Sequence, residues 1–261
     1  MQTALQKYFA QRVKNLFNHL HDFDLNGDEG SLHDYRVEMK KLRAIIKFFR
    51  KIYPKQKLKK PANLLRSIFE ISGEIREYQI LVQWLVKHDC KVIEQNYFPA
   101  EKLHEMMEHF RFHSEKYAAD FTEIIKNISD FAESTNEILP EQYFAELNAR
   151  VEKLCVKNLS ITDWHELRKL IKQRIYSYNW FQHDDTNDDP LFGYYNKLQE
   201  QIGHWHDLEM IKNIFSQKQI YLSQDIEVQK EFNVAWEKLS ASLKYREKMV
   251  EEMLAKQTAA E

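Results

Sequence analysis

The chain has little of what turns a backbone sharply. Its 261 residues include five glycines and five prolines. All-β folds built on tight turns, and nucleotide folds built on Gly-rich loops, use more of both. The two cysteines, Cys90 and Cys155, cannot build a disulfide framework or, by themselves, a zinc site. They fit a reducing compartment. No apolar run approaches the roughly 18 residues of a membrane span. The opening run MQTALQKYFAQRVKNLF is a mixed amphipathic pattern rather than a signal peptide. A soluble cytoplasmic protein is therefore expected. Net charge is also small: 38 Lys and Arg against 40 Asp and Glu leave −2. On that average alone a polyanion partner looks excluded.

Hydrophobic residues make up 43% and charged residues 30%, which excludes a disordered chain. The few prolines and glycines fall between stretches of helical periodicity, and no stretch shows strand alternation. Eight helices are predicted. The first runs from about Ala4 to Leu20, and the second from Ser31, with Ser31 and Asp34 as a capping box, to Tyr53. The third starts at Pro61 and ends near His88. The fourth runs from Pro99 to about Ala132, the fifth from Pro140 to about Lys157. Thr162 or Asp163 caps a sixth ending near Gln182, Pro190 opens a seventh, and an eighth covers about Asp225 to Lys256.

The two halves repeat. His33, Arg36, Lys40 and Phe49 align with His165, Arg168, Lys172 and Phe181 at an offset of 132. Gly73 and Glu77 align with Gly203 and Asp207 at an offset of 130. Residues 1–135 and 136–261 are thus expected to be two copies of four helices each. Antiparallel packing of the four is the simplest arrangement for such loops.

The second helix carries an unusual stripe. With His33 at 0°, Arg36, Lys40, Arg43 and Lys47 fall at about 300°, 340°, 280° and 320°, at 100° per residue. Steps of 3, 4, 3 and 4 mark a heptad seam, which normally carries apolar side chains. Here it carries one histidine and four cations, bordered by Val37, Met39, Leu42, Ile46 and Phe49. A row of like charges needs opposing charge to be stable near a core. The sixth helix repeats the start with His165, Arg168 and Lys172. It then departs: Ile175 and Asn179 replace two cations, and Arg174 lies one residue out of register. The local charge is just as uneven. Between Arg36 and Arg66 stand twelve Lys or Arg and one acid, Glu38. That segment is +11, so the rest of the chain is −13, and the small average hides a focused basic region. The bland alternative is that these cations close on the chain's own carboxylates.

Other constellations are weaker. Asp22-Phe-Asp24-Leu-Asn26-Gly27 matches the start of a calcium loop, but its twelfth position is His33 rather than glutamate, so a polar turn is expected. Asp185, Asn187 and Asp189 are followed by Pro190, where such a loop needs glycine. Glu101-Lys-Leu-His104 is a single E-x-x-H without a second, and His204 and His206 face different ways on a helix. The residues around His33 lack the small side chains of a phosphotransfer histidine. No nucleophile–base pair with a supporting motif is evident. The aromatic residues sit mostly at core spacing and form no stacking platform for nucleic acid.

The stripe and its successor have a familiar form. His33-Asp-Tyr-Arg36-Val-Glu-Met-Lys40-Lys41-Leu42-Arg43 resembles the signature of the CHAD family, the conserved histidine α-helical domain. His165-Glu-Leu-Arg168-Lys169-Leu-Ile-Lys172-Gln-Arg174-Ile-Tyr176 resembles its second motif. Gly73-Glu-Ile-Arg76-Glu77 and Gly203-His204-Trp205-His206-Asp207 resemble the Gly-and-acid motifs that follow each. The second half departs at Gln173, Ile175 and His206, the last standing where the first half has Arg76. The resemblance implies an all-α fold of two four-helix bundles related by a pseudo-two-fold repeat, with a basic central groove. It also implies non-enzymatic binding of inorganic polyphosphate, often at polyphosphate granules. The residues implied are His33, Arg36, Lys40, Arg43, Lys47, Arg76, His165, Arg168, Lys172 and Arg174, with no catalytic residue, cofactor, metal or membrane. Nucleic acid is a lesser candidate ligand. A metal-assisted hydrolase or transferase acting on phosphate anhydrides, and a helical protein-interaction module, are the competing expectations.

Overall fold

Helix ends in this chain are set by side chains that satisfy the backbone groups a helix leaves open. Asp28 caps one: its carboxylate accepts from Ser31 N at 2.8 Å, so the helix starts at Glu29, ahead of the expected Ser31–Asp34 box. Ser160 and Asp163 form a reciprocal capping box. Asp163 N donates to Ser160 Oγ at 3.2 Å and Ser160 N donates to Asp163 Oδ2 at 3.0 Å. The helix there begins at Ile161, and Asp163 is its third residue rather than its cap. Asp225 receives Glu227 N at 2.8 Å at the start of the last helix.

The computed structural model describes residues 4–53, 58–134, 141–155, 159–178, 180 and 190–258. Among the described residues there are helices α1 (Ala4–Asn26), α2 (Glu29–Ile52), α3 (Lys59–Lys87), α4 (Lys91–Tyr97), α5 (Ala100–Phe112), α6 (Ser114–Ser134), α7 (Glu141–Cys155), α8 (Ile161–Tyr178), α9 (Pro190–Gln217) and α10 (Ile226–Thr258). A 3-10 turn covers Ile220–Leu222, and the described residues contain no strand. The all-α expectation holds. No helix among them is long and apolar enough to cross a membrane.

Eight expected helices are ten among the described residues, for local reasons. The expected fourth helix breaks at His113 into α5 and α6, where Ser114 Oγ donates to Asp24 Oδ1 at 2.8 Å. α4 occupies a stretch read as a connection. Its first amides, Val92 N and Ile93 N, donate to the Glu231 carboxylate at 3.1 and 2.7 Å. The calcium-loop-like run is not the expected polar turn: α1 continues through Asp22, Asp24 and Asn26. It stops where Gly27 takes φ of +63°. Pro140 and the stretch from Asp184 to Asp189 lie outside the described residues.

The chain forms two compact units, each assembled from separated segments. The first comprises Met1–Arg76, Leu103–Tyr143 and Tyr176–Asp185; the second comprises Glu77–Lys102, Phe144–Ile175 and Thr186–Glu261. In the first, α1 packs along α2 and against α6. Its core joins Leu16, Leu20 and Phe23 of α1 to Leu32, Tyr35, Met39, Leu42, Ile46 and Phe49 of α2. Edge-on contacts link Tyr35 to Phe110 and Phe121 at 6.1 and 5.8 Å, and Phe48 to Tyr143 and Trp180 at 5.0 Å each. In the second, α9 packs on α10, with Trp84 and Phe98 against Phe215 and Trp164 against Trp205. Of the apolar borders of the α2 stripe, Met39, Leu42, Ile46 and Phe49 are therefore core, and Val37 is half-buried. Both cysteines are buried thiols.

Candidate anion-binding rows

The first row lies on α2 and the facing part of α3. Arg36, Lys40, Arg43 and Lys47 share one face of α2, but their exposures diverge. Arg36 is only 8% exposed. Its NH1 donates to Phe69 O at 2.7 Å and to Ser72 Oγ at 2.9 Å, and its Cζ lies 4.2 Å from the centre of the Phe69 ring. Arg43 and Lys47 are exposed, and Lys40 is half-buried. Arg43 Cζ is 4.5 Å and Lys40 Nζ 5.9 Å from the same Phe69 ring. One aromatic ring of α3 thus lies against three cations of the row. Arg76, half-buried on α3, comes near His33 at the start of α2. Loss of solvent, then the charges of Arg76 and Lys40, hold the His33 pKa below the ordinary histidine range.

The second row lies on α8 and α9. Arg168 is half-buried, with its guanidinium against Gly203. The His165 and His206 rings meet edge to face, 4.7 Å apart. His165 also titrates below the ordinary range, through burial and then His206, Lys169 and Arg168, with Glu209 opposing. Lys172 is half-buried, and burial with the neighbouring Arg168 pulls its pKa down to about 8 despite Asp207. Arg174 does not follow Lys172 along a shared open face but stacks over Tyr195, its Cζ 4.5 Å from the ring centre. Ile175, where the first row has Arg43, is buried.

The glycine of each later motif has a steric reason. A Cβ on Gly73 would stand 3.2 Å from Arg36 NH1, and one on Gly203 would stand 3.3 Å from Arg168 NH2. The same arginine–glycine contact recurs in both units. Replacing a glycine within a helix by alanine normally stabilises by up to about 1 kcal/mol. Gly193→Ala, whose Cβ would meet nothing within 4 Å, is expected to show that gain. Gly73→Ala is expected to lose it and lower Tm by a few degrees, because Arg36 can retreat only by giving up bonds to α3. Parallel thermal melts check this; equal gains at both sites would remove the steric account.

Several neighbouring cations pair with carboxylates. Glu38, the acid of the basic segment, is buried and accepts from Lys41 at 2.8 Å and Arg12 at 3.1 Å. Lys60 pairs with Glu123 at 2.6 Å and Arg66 with Glu70 at 2.6 Å. Intramolecular pairing thus accounts for Lys41, Lys60 and Arg66, while Lys55 and Lys57 lie outside the described residues. Among the described residues no group of three or more His, Cys, Asp or Glu is placed to hold a metal ion.

The sequence reading missed Phe69, Ser72 and Tyr195. Phe69 stands four residues before Gly73, so ring and glycine share a helical face, and that spacing was the available signal. No curated protein and no solved structure matches the chain. A protein-family model does match: it describes the CHAD domain and aligns over residues 5–214, most of the chain, including all four motifs, and the chain belongs to the CHAD family.

Proposed function

We propose that this chain binds inorganic polyphosphate without acting on it chemically. The observation that carries the reading is the α2 row, in which Arg43 and Lys47 are exposed and Lys40 is half-buried beside them. A polyphosphate chain carries about one charge per unit, so a row of cations gains by multivalency and counterion release, as on a nucleic acid backbone. Arginine forks match phosphate oxygens, and lysines add point charges. The site residues in this reading are Lys40, Arg43, Lys47 and Arg76, with Arg168, Lys172 and Arg174 as a second set. His33 and His165 act as neutral donors, and Arg36 serves the row from beneath. We also read the chain as a duplication with copies over 1–135 and 136–261, supported by the repeated arginine–glycine contact. Copies related by duplication need not coincide with compact units. The basic central groove that the resemblance implies, and association with granules in the cytoplasm, belong to the same reading; binding requires only that each row meet the anion.

A salt series with long-chain polyphosphate tests this. The four cations of the first set alone predict roughly 100-fold loss of affinity between 50 and 200 mM salt, by analogy with nucleic acid slopes. Absence of binding at 50 mM salt would sink the reading. Release of phosphate on incubation with polyphosphate and magnesium or manganese would replace it with the enzymatic alternative.

Lys172 adds a pH dependence. Its cationic form binds phosphate, so the second set should weaken as pH rises through about 8. We expect a several-fold loss of affinity from pH 7 to 9 in the unmodified protein and none in Lys172→Arg, which stays charged. Identical pH profiles would remove Lys172 from the site. The stability effect runs the other way. Folding lowers this pKa, so the charged form is penalised fully below about 8, and the penalty fades as pH rises towards the ordinary 10.5.

A further inference from the structure

We propose that Phe69 is a positioning residue for the first row: its ring holds the Arg36 and Arg43 guanidinium groups in a fixed array, so that Arg43 meets the anion already oriented. The role rests on the polyphosphate reading; the geometry does not. Arg36 Cζ and Arg43 Cζ lie 4.2 and 4.5 Å from the ring centre, and Lys40 Nζ lies 5.9 Å from it. The Phe69 backbone carbonyl accepts from Arg36 NH1 at 2.7 Å, so the residue grips Arg36 by both side chain and main chain. Two guanidinium groups sharing one ring repel each other. The negative face of an aromatic ring offsets that repulsion without neutralising either charge, which a carboxylate in the same place would do. A carboxylate would also compete with phosphate for the guanidinium; a ring leaves the N–H edges available to it. An arginine side chain otherwise loses much rotamer freedom when it binds, and a preset guanidinium loses less. The second unit has a comparable arrangement, with Arg174 over the Tyr195 ring at 4.5 Å.

The test uses the full chain with Phe69→Leu and Phe69→Tyr. Leucine keeps an apolar side chain and removes the π face; tyrosine keeps both. Phe69→Leu is expected to bind long-chain polyphosphate about 5- to 10-fold more weakly with an unchanged salt slope, since no cation is lost. Phe69→Tyr is expected to restore affinity. A purely structural role would lower Tm and leave the affinity of the folded fraction alone. NMR of the unmodified protein gives a second measurement that needs no variant. The Arg43 side-chain protons should be shifted upfield by the ring, and Phe69→Leu should abolish the shift. Affinity for Phe69→Leu equal to that of the unmodified protein, or no upfield shift in the unmodified protein, overturns the proposal. If the unmodified protein does not bind polyphosphate at all, the functional reading fails, and the ring shift still reports the array separately.

Discussion

Reversing two charges on α2, Arg43→Glu with Lys47→Glu, is expected to lower polyphosphate affinity roughly 100-fold or more while leaving the fold intact. Two phosphate contacts disappear and two repulsive ones replace them. The apparent salt slope should fall by about 2, because two fewer counterions are released per bound chain. Both side chains are exposed, so stability should change by no more than about 1 kcal/mol, the part of it from Arg43 reflecting lost contact with the Phe69 ring. Titration calorimetry at two salt concentrations, with a thermal melt of the same sample, checks both halves. Retained affinity would move the binding surface away from α2. The pair Arg36→Glu with Lys40→Glu, which the helical wheel alone makes equally attractive, is the wrong test. It places a carboxylate beside the Phe69 carbonyl and Ser72, and any loss of binding would follow from loss of the fold.

Arg36→Ala is expected to destabilise the protein by about 3–5 kcal/mol, or roughly 10 °C in Tm at this chain length. Arg36 is 8% exposed and donates to Phe69 O and Ser72 Oγ. Truncation removes two charge-assisted hydrogen bonds and empties a space that Gly73, with no side chain, does nothing to fill. Ser72 Oγ still donates to the Phe69 carbonyl at 3.1 Å, so that acceptor stays satisfied and the loss comes from the missing guanidinium and the space it leaves. Arg36→Lys should recover only part, because one ammonium cannot reproduce a planar guanidinium lying on a ring. A urea melt in which Arg36→Ala matches the unmodified protein would show that Arg36 is a surface cation after all. The two predictions together separate roles that the wheel cannot: Arg36 builds the row, and Arg43 and Lys47 present it.

Much was legible from residue order. Periodicity and sparse glycine and proline sufficed for an all-α chain, and Pro61, Pro190 and Asp225 marked helix starts to within a residue or two. The cap of α2 was missed because Asp28, Ser31 and Asp34 all fit a cap, and the choice among them depends on which carboxylate reaches which amide. The break at His113 was invisible because its cause, the bond from Ser114 to Asp24, joins residues 90 apart in the chain.

Residue order alone places four cations and a histidine on one face of α2, since a helix turns 100° per residue whatever surrounds it. The same turn places Met39, Leu42, Ile46 and Phe49 beside that face, and these four are core. It takes the packing of α3 on α2 to bury Arg36 while Arg43, about 20° away on the wheel, stays exposed. The angle is a property of one helix. Depth depends on how closely the next helix approaches, and Gly73 and Phe69 of α3 set that approach around Arg36.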